Sequence, residues 1–213
     1  MAPLLQPADC CVLLVDPRAR HLGRLAQARH TELRQCLNLT LDAAAAGTVP
    51  THFAFAGPRS APHDWIAAPR SLAPSQVHAR GTVASCWSGS GLHGALAAQP
   101  RSSLILAGFW LETTVTFLAL PALASGFEVF VLMDATPASA DTSARPAADR
   151  LLQAGAVPIT TRQLIAEWIE ASSEGTVRSA LSRLVPADDQ DLRAETNDNI
   201  GATHSDPGVG SAT

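Results

Sequence analysis

Six short apolar runs, each followed by a longer segment of helical periodicity, constrain this chain more than any other feature. The first, CCVLLVD (10–16), has no polar residue before its closing acid, the pattern of a strand covered on both faces. Comparable runs occupy 49–56, 76–79, 103–107, 128–133 and 157–160. Helical patterns fill 28–46, 91–98, the stretch up to Ser125, 144–154, 162–171 and 176–184. Gly47, Gly126 and Gly155 stand just past three of them, where helices commonly stop. Such alternation predicts an α/β fold of three layers, with a mostly parallel, Rossmann-like sheet of about six strands and helices on both faces. Ligands of these folds sit beyond the carboxyl ends of the strands. Asp16, Gly108 and Asp134 stand at such ends, and the Pro/Ser-rich stretch 57–75 reads as a long connection near the crevice.

With 213 residues, 46% of them apolar, the chain can build one sizeable core. Charge divides it. Residues from 185 onward carry −5, whereas the preceding body carries +1. We therefore expect a single domain over 1–185 and an acidic, disordered tail over 186–213. A near-neutral body offers no electrostatic footprint for nucleic acid. The first apolar stretch is too short for a signal peptide, and no segment is long enough to span a bilayer, so the expectation is a cytoplasmic protein with no membrane partner. Four cysteines (10, 11, 36, 86) form neither CxxC nor Cys/His ligand spacings, which predicts neither a metal nor a disulfide framework. The sequence contains no lysine and no tyrosine.

Among candidate motifs, GSGLHG (89–94) matches GxGxxG. A dinucleotide site also needs a strand directly before it and an acid ending the next strand. Here VASCWS precedes it and the next run ends in Ala107-Gly108, so a loop leading into a helix explains it better and no cofactor is expected. The seven histidines show no metal-ligand spacing to one another or to an acid, and read as packed or solvent-exposed rings. Cys86 and Trp87 read as packing. Asp16 serves equally well as a turn residue or as a catalytic carboxylate. GFWLETTVTF (108–117) raises the sharper question, because a helix starting near Thr114 would aim free amides into the crevice. By itself, Thr114 reads as a cap or first-turn residue.

The stretch LILAGFWLETTVTFLALPALASGFEVFVLMDAT resembles the core of the isochorismatase-like cysteine hydrolases, which include nicotinamidases and related amidases. It is most similar to the branch of small octameric bacterial hydrolases, whose pattern runs AGVVTEVCVAFPAL…GFDVFVVTDAS. CCVLLVDPRA, ARGTVASCW and DRLLQAGAVPITT resemble three further segments, in order, so that the resemblance spans about 9–171. It implies a triad in which Asp16 is the general base, Arg80 the basic residue and Thr114 the occupant of the nucleophile position, where the family has Cys. It also implies an oxyanion hole of backbone amides at Trp110 and Thr114, a cis peptide at Phe109-Trp110, and a pocket drawing on Trp87, Phe109 and Glu112. Its further implications are a small-molecule substrate and a homo-oligomer buried through the helices after strands four and five.

Two departures shape the expected chemistry. An alcohol titrates several units above a thiol, so Thr114 is a poor substitute for a nucleophilic Cys. Pro121 lies inside the helix instead of just after Phe117, where it removes a backbone bond to the Phe117 carbonyl and should kink the helix. The expectation is a hydrolase of a small amide, ester or enol ether with altered or impaired chemistry, and direct attack by water promoted by Asp16 is one route. Family members that cleave vinyl ethers by acid catalysis also lack the cysteine, but they use a lysine this chain does not have. The competing expectation is a non-catalytic binding or assembly protein.

Overall fold

The computed structural model describes residues 4–58, 61–80 and 86–185; for Arg80 and Cys86 only the backbone is described. The acidic tail therefore lies outside the described residues. Six strands form one all-parallel sheet: β1 Cys10–Val15, β2 Thr51–Ala56, β3 Val77–Arg80, β4 Ser103–Gly108, β5 Glu128–Leu132 and β6 Val157–Ile159. Their order is β3-β2-β1-β4-β5-β6. The order reverses at β1, so the crevice beyond the carboxyl ends of β1 and β4 is the switch point where such sheets receive ligands.

Alternation along β1 shows why its whole run must be apolar. Cys10, Val12 and Leu14 enter one core layer, while Cys11, Leu13 and Val15 enter the other. The first layer lies under α1 (Ala28–Ala46), α6 (Thr161–Ala171) and α7 (Gly175–Ser182), which contribute Leu33, Leu37, Trp168 and Leu181. The second lies under α3 (Leu92–Ala97), α4 (Thr116–Ala124) and α5 (Asp141–Gln153), which contribute Leu96, Leu118 and Leu151. A short α2 (Cys86–Gly89) precedes α3. Gly91, at φ +80, turns the GSGLHG loop into α3 and gives that motif its role.

Three local features have physical causes. The helical turn after β4 starts at Leu111, not near Thr114: residues Leu111–Val115 form a wide π-helical turn that leads into α4. The extra residue this turn accommodates is invisible to periodicity. As expected, α4 continues through Pro121 to Ala124, although Pro121 donates no backbone bond to the carbonyl of Phe117. The 57–75 connection is anchored to the body as well. Trp65, 6% exposed, packs on Phe53 and Phe55 at 4.8 and 4.9 Å between ring centroids. Its backbone bridges Arg18, and the amide of Ile66 donates to the Pro17 carbonyl at 2.8 Å.

Candidate active site at the β1–β4 edge

The site is built on a close approach of two strand ends. Val15 and Gly108 pair at the last register position of β1 and β4, and the Phe109 amide donates to the Val15 carbonyl at 2.8 Å. Gly108 has φ +119, and a Cβ placed on it would stand 2.0 Å from that carbonyl oxygen. Only glycine fits there. Directly after it comes the cis peptide Phe109-Trp110. Both rings belong to the first core layer, 0% and 7% exposed.

On the β1 side, Asp16 holds φ +46, a conformation tolerated by Asp more readily than by most residues, with its amide donating to the Ala54 carbonyl at 2.7 Å. Its carboxylate is buried and meets two partners. Arg18 Nη1 lies 2.7 Å from Oδ1, an ionic contact, since Oδ1 accepts no aligned hydrogen bond. His21 Nε2 lies 3.0 Å from Oδ2. The Arg18 guanidinium is itself held: it donates to the carbonyls of Ala56 at 2.9 Å and Pro58 at 2.5 Å, and sits 5.0 Å from the Phe55 ring centroid. Burial pulls its pKa down while the Asp16 charge pushes it back up. At an ordinary value above 12 it stays protonated.

His21 comes from a 3-10 turn, Ala19–Arg24, pinned by buried Leu22. Its ring stacks on Phe109 (5.2 Å between centroids, 25°) and meets Trp110 edge-on at 5.3 Å. Arg24 reaches the other ring of this group, 5.5 Å from the Trp110 centroid. Sequence reasoning missed this histidine and Arg18 as partners of Asp16. A five-residue separation has no meaning along a strand or an extended loop; the 3-10 turn brings the ring back onto the acid. A second histidine pairing was equally invisible to spacing along the chain. His52 Nδ1 and His78 Nε2 are 3.2 Å apart on neighbouring strands β2 and β3, and both are buried. The chain extends from His52 Nε2 to Gln99 at 2.8 Å and from Gln99 to the Cys11 thiol at 3.4 Å. Burial pushes the His52 pKa down to about 4.

The remaining candidates fall in different places. Thr114 is 6% exposed and lies within the π-helical turn, not at an N-cap; the extended Trp110 precedes that turn. Glu112, in the same turn, is engaged elsewhere: its carboxylate accepts from the Ser139 amide at 3.1 and 3.2 Å and from the Ser139 hydroxyl. It lines a surface hollow of about 370 Å³ with Thr116, Thr142, Pro146 and Arg150. Trp87 packs in the second core layer, stacked on His93 at 5.2 Å, so it is separated by the sheet from Phe109 and Trp110. The backbone of Arg80 ends β3 in register with Ala56, two strands from β1; its side chain lies outside what is described. Among the described residues, no group of three or more His, Cys, Asp or Glu is arranged to hold a metal ion. None of the described helices is long and apolar enough to cross a membrane.

A parallel α/β sheet with a buried acid at its switch point defines a class of fold in which ligands commonly bind at that point, and the comparisons narrow it. The isochorismatase domain model matches residues 10–163, and the chain belongs to that family. Over 76 residues it is 38% identical to a protein of Escherichia coli (strain K12) described as "Probable hydrolase YcaC"; this segment is 36% of the chain and 36% of the relative. The chain thus aligns with about a third of the length of that curated relative. The crystal structure of the YcaC gene product from Escherichia coli, described as an octameric hydrolase of unknown specificity, superposes with a TM-score of 0.71 at 25% identity, covering 92% of this chain and 98% of that one. YcaC from Pseudomonas aeruginosa, solved with hexane-2,5-diol and covalent acrylamide, shares the fold with a TM-score of 0.67 at 22% identity, with the same coverage of each chain.

Proposed function

We propose that this chain is a hydrolase of small amide, ester or enol-ether substrates, working at the β1–β4 edge around Asp16. One observation carries the reading: a buried carboxylate, balanced by a fixed guanidinium and an imidazole, stands beside the turn Gly108–Trp110 that leads into the helix. In this reading Thr114 occupies the position that family hydrolases give to a cysteine, the amides of Trp110 and Thr114 face the developing oxyanion, and Arg80 adds positive charge. An alcohol there makes slow chemistry at best through a covalent adduct, which favours attack by water. The octameric state described for the E. coli protein, together with half-exposed Phe117 on α4 and Leu152 on α5, supports a homo-oligomer. The buried position of Thr114 favours the second reading, a small-molecule-binding or assembly protein without turnover.

A screen of purified full-length protein with amides, esters and enol ethers separates the two readings. Hydrolysis by the wild type that disappears in Asp16→Asn is the expected result. Turnover by neither protein, with ligand binding retained, would establish the non-catalytic reading instead.

A further inference from the structure

We propose that His21 is the group that takes the proton from attacking water, with Asp16 as its orienting partner; this rests on the hydrolase reading above. Four features of the edge point to it. Asp16 is a carboxylate and can only accept, so the ring nitrogen 3.0 Å away, Nε2, carries the imidazole proton. That leaves Nδ1 with a lone pair, and it has no hydrogen-bond partner among the described residues. The ring cannot swing away, because Phe109 stacks on one face and Trp110 meets it edge-on. The side chain is nonetheless 12% exposed, against 7% for that of Asp16, so the imidazole is the member of the pair nearer to solvent.

Charge assigns the roles in the same sense. Arg18 lies 2.7 Å from Asp16 and is fixed by two backbone carbonyls, so the carboxylate is held between a permanent positive charge on one oxygen and the imidazole on the other. Arg18 itself does not exchange protons near neutral pH, nor do Arg20 and Arg24 on the same turn. The chain has no lysine to fill that place. Of the charged and polar side chains at this edge (Asp16, Arg18, Arg20, Arg24 and His21), only the imidazole pairs a donor nitrogen held by the acid with a second nitrogen that can accept.

The step balances without any further reactant. As the water oxygen bonds to the substrate carbonyl carbon, its proton passes to Nδ1 and the carbonyl electron pair moves to oxygen. Collapse of the adduct breaks the bond to the leaving amine or alkoxide, which takes the proton from Nδ1. The imidazolium formed in between is stabilised by Asp16, as in other carboxylate-oriented histidine bases.

The test measures kcat/KM against pH for the wild type, His21→Gln and Asp16→Asn with a substrate found in the screen. The wild type should lose rate as the pH falls, along a limb set by one proton. His21→Gln should lower the plateau by at least about a hundredfold and erase the limb, with KM changing far less than kcat. Should His21→Gln fail to fold, His21→Asn and the wild-type profile carry the test. A wild-type profile flat across about pH 5 to 9, or a His21 variant that keeps rate and limb, overturns the assignment while leaving the hydrolase reading intact. Absence of turnover with every substrate overturns both.

Discussion

Asp16 and Asp134 are both acids just past the carboxyl ends of parallel strands, and the structure uses them in opposite ways. Asp134, in the 3-10 turn Met133–Ala135 after β5, gives both oxygens to the Thr161 amide at 3.0 Å each and also accepts the Thr161 hydroxyl. It closes the N-terminus of α6, where a negative charge is favoured, and the Cys36 thiol donates to it at 3.6 Å. Its partners are an amide, a hydroxyl and a thiol pushed up to about 11, none of which titrates near neutrality. Asp16 meets a guanidinium and an imidazole, both delivered by the segment after β1. Location at a strand end thus makes an acid available to a crevice. Its partner set decides whether it works there or merely finishes a helix.

The largest test of this contrast is aimed at the strand closure on which the Asp16 side depends. Gly108→Ala puts a Cβ against the backbone of Val15 at a positive φ, with no flexible group to yield. Loss of more than about 4 kcal/mol, read by urea denaturation, is expected. A variant melting like the wild type would show that β1 and β4 are not locked at that point.

The acids themselves give the next effect. Asp16→Asn leaves Arg18 buried without its counter-charge and should cost about 3 kcal/mol, together with at least about a hundredfold in kcat/KM. Asp134→Asn should cost about 1 kcal/mol and leave kcat/KM within about twofold, because only a helix cap is weakened. Equal losses of activity in the two variants, measured with one substrate, would erase the distinction.

A smaller, chemical effect compares the thiol beside Asp134 with one introduced in the turn after β4. Burial, then the charge of Asp134, push the Cys36 thiol up to about 11, and burial raises Cys10 to about 12 and Cys11 to about 11. In the proposed site, a thiol introduced by Thr114→Cys would face the amides of that turn. Iodoacetamide should modify it at least about tenfold faster than Cys36 at neutral pH, followed by peptide mass spectrometry. A rate no greater than that of Cys36 would mean that the turn offers no field for an anion.

Much of the fold was legible because burial on both faces writes a strand as an unbroken apolar run. β1 and β4 were readable to within a residue for that reason, and the glycines after α1, α4 and α5 marked the helix ends. The start of the turn after β4 was not legible. A π-helical turn adds one residue to the repeat, so LETTV carries no periodic signature of its own. Trp65 hid in a Pro/Ser-rich segment because the partners that bury it, Phe53 and Phe55, lie on a strand fixed elsewhere.

By itself, the sequence determined that this chain is a parallel α/β domain with acids at strand ends and a glycine where β4 must turn. Those properties follow from local patterns: apolar runs, helical spacing and the conformations single residues tolerate. The order of strands, and with it the partners of each acid, was decided by tertiary structure. Arg18 and His21 meet Asp16 where Trp65 and Ile66 hold the loop after β1, Phe109 stacks on the imidazole and Trp110 meets it edge-on. His52 meets His78 only because β2 and β3 are neighbours in the sheet. Such pairings depend on distances through space between residues from separate elements, and no spacing along the chain encodes them.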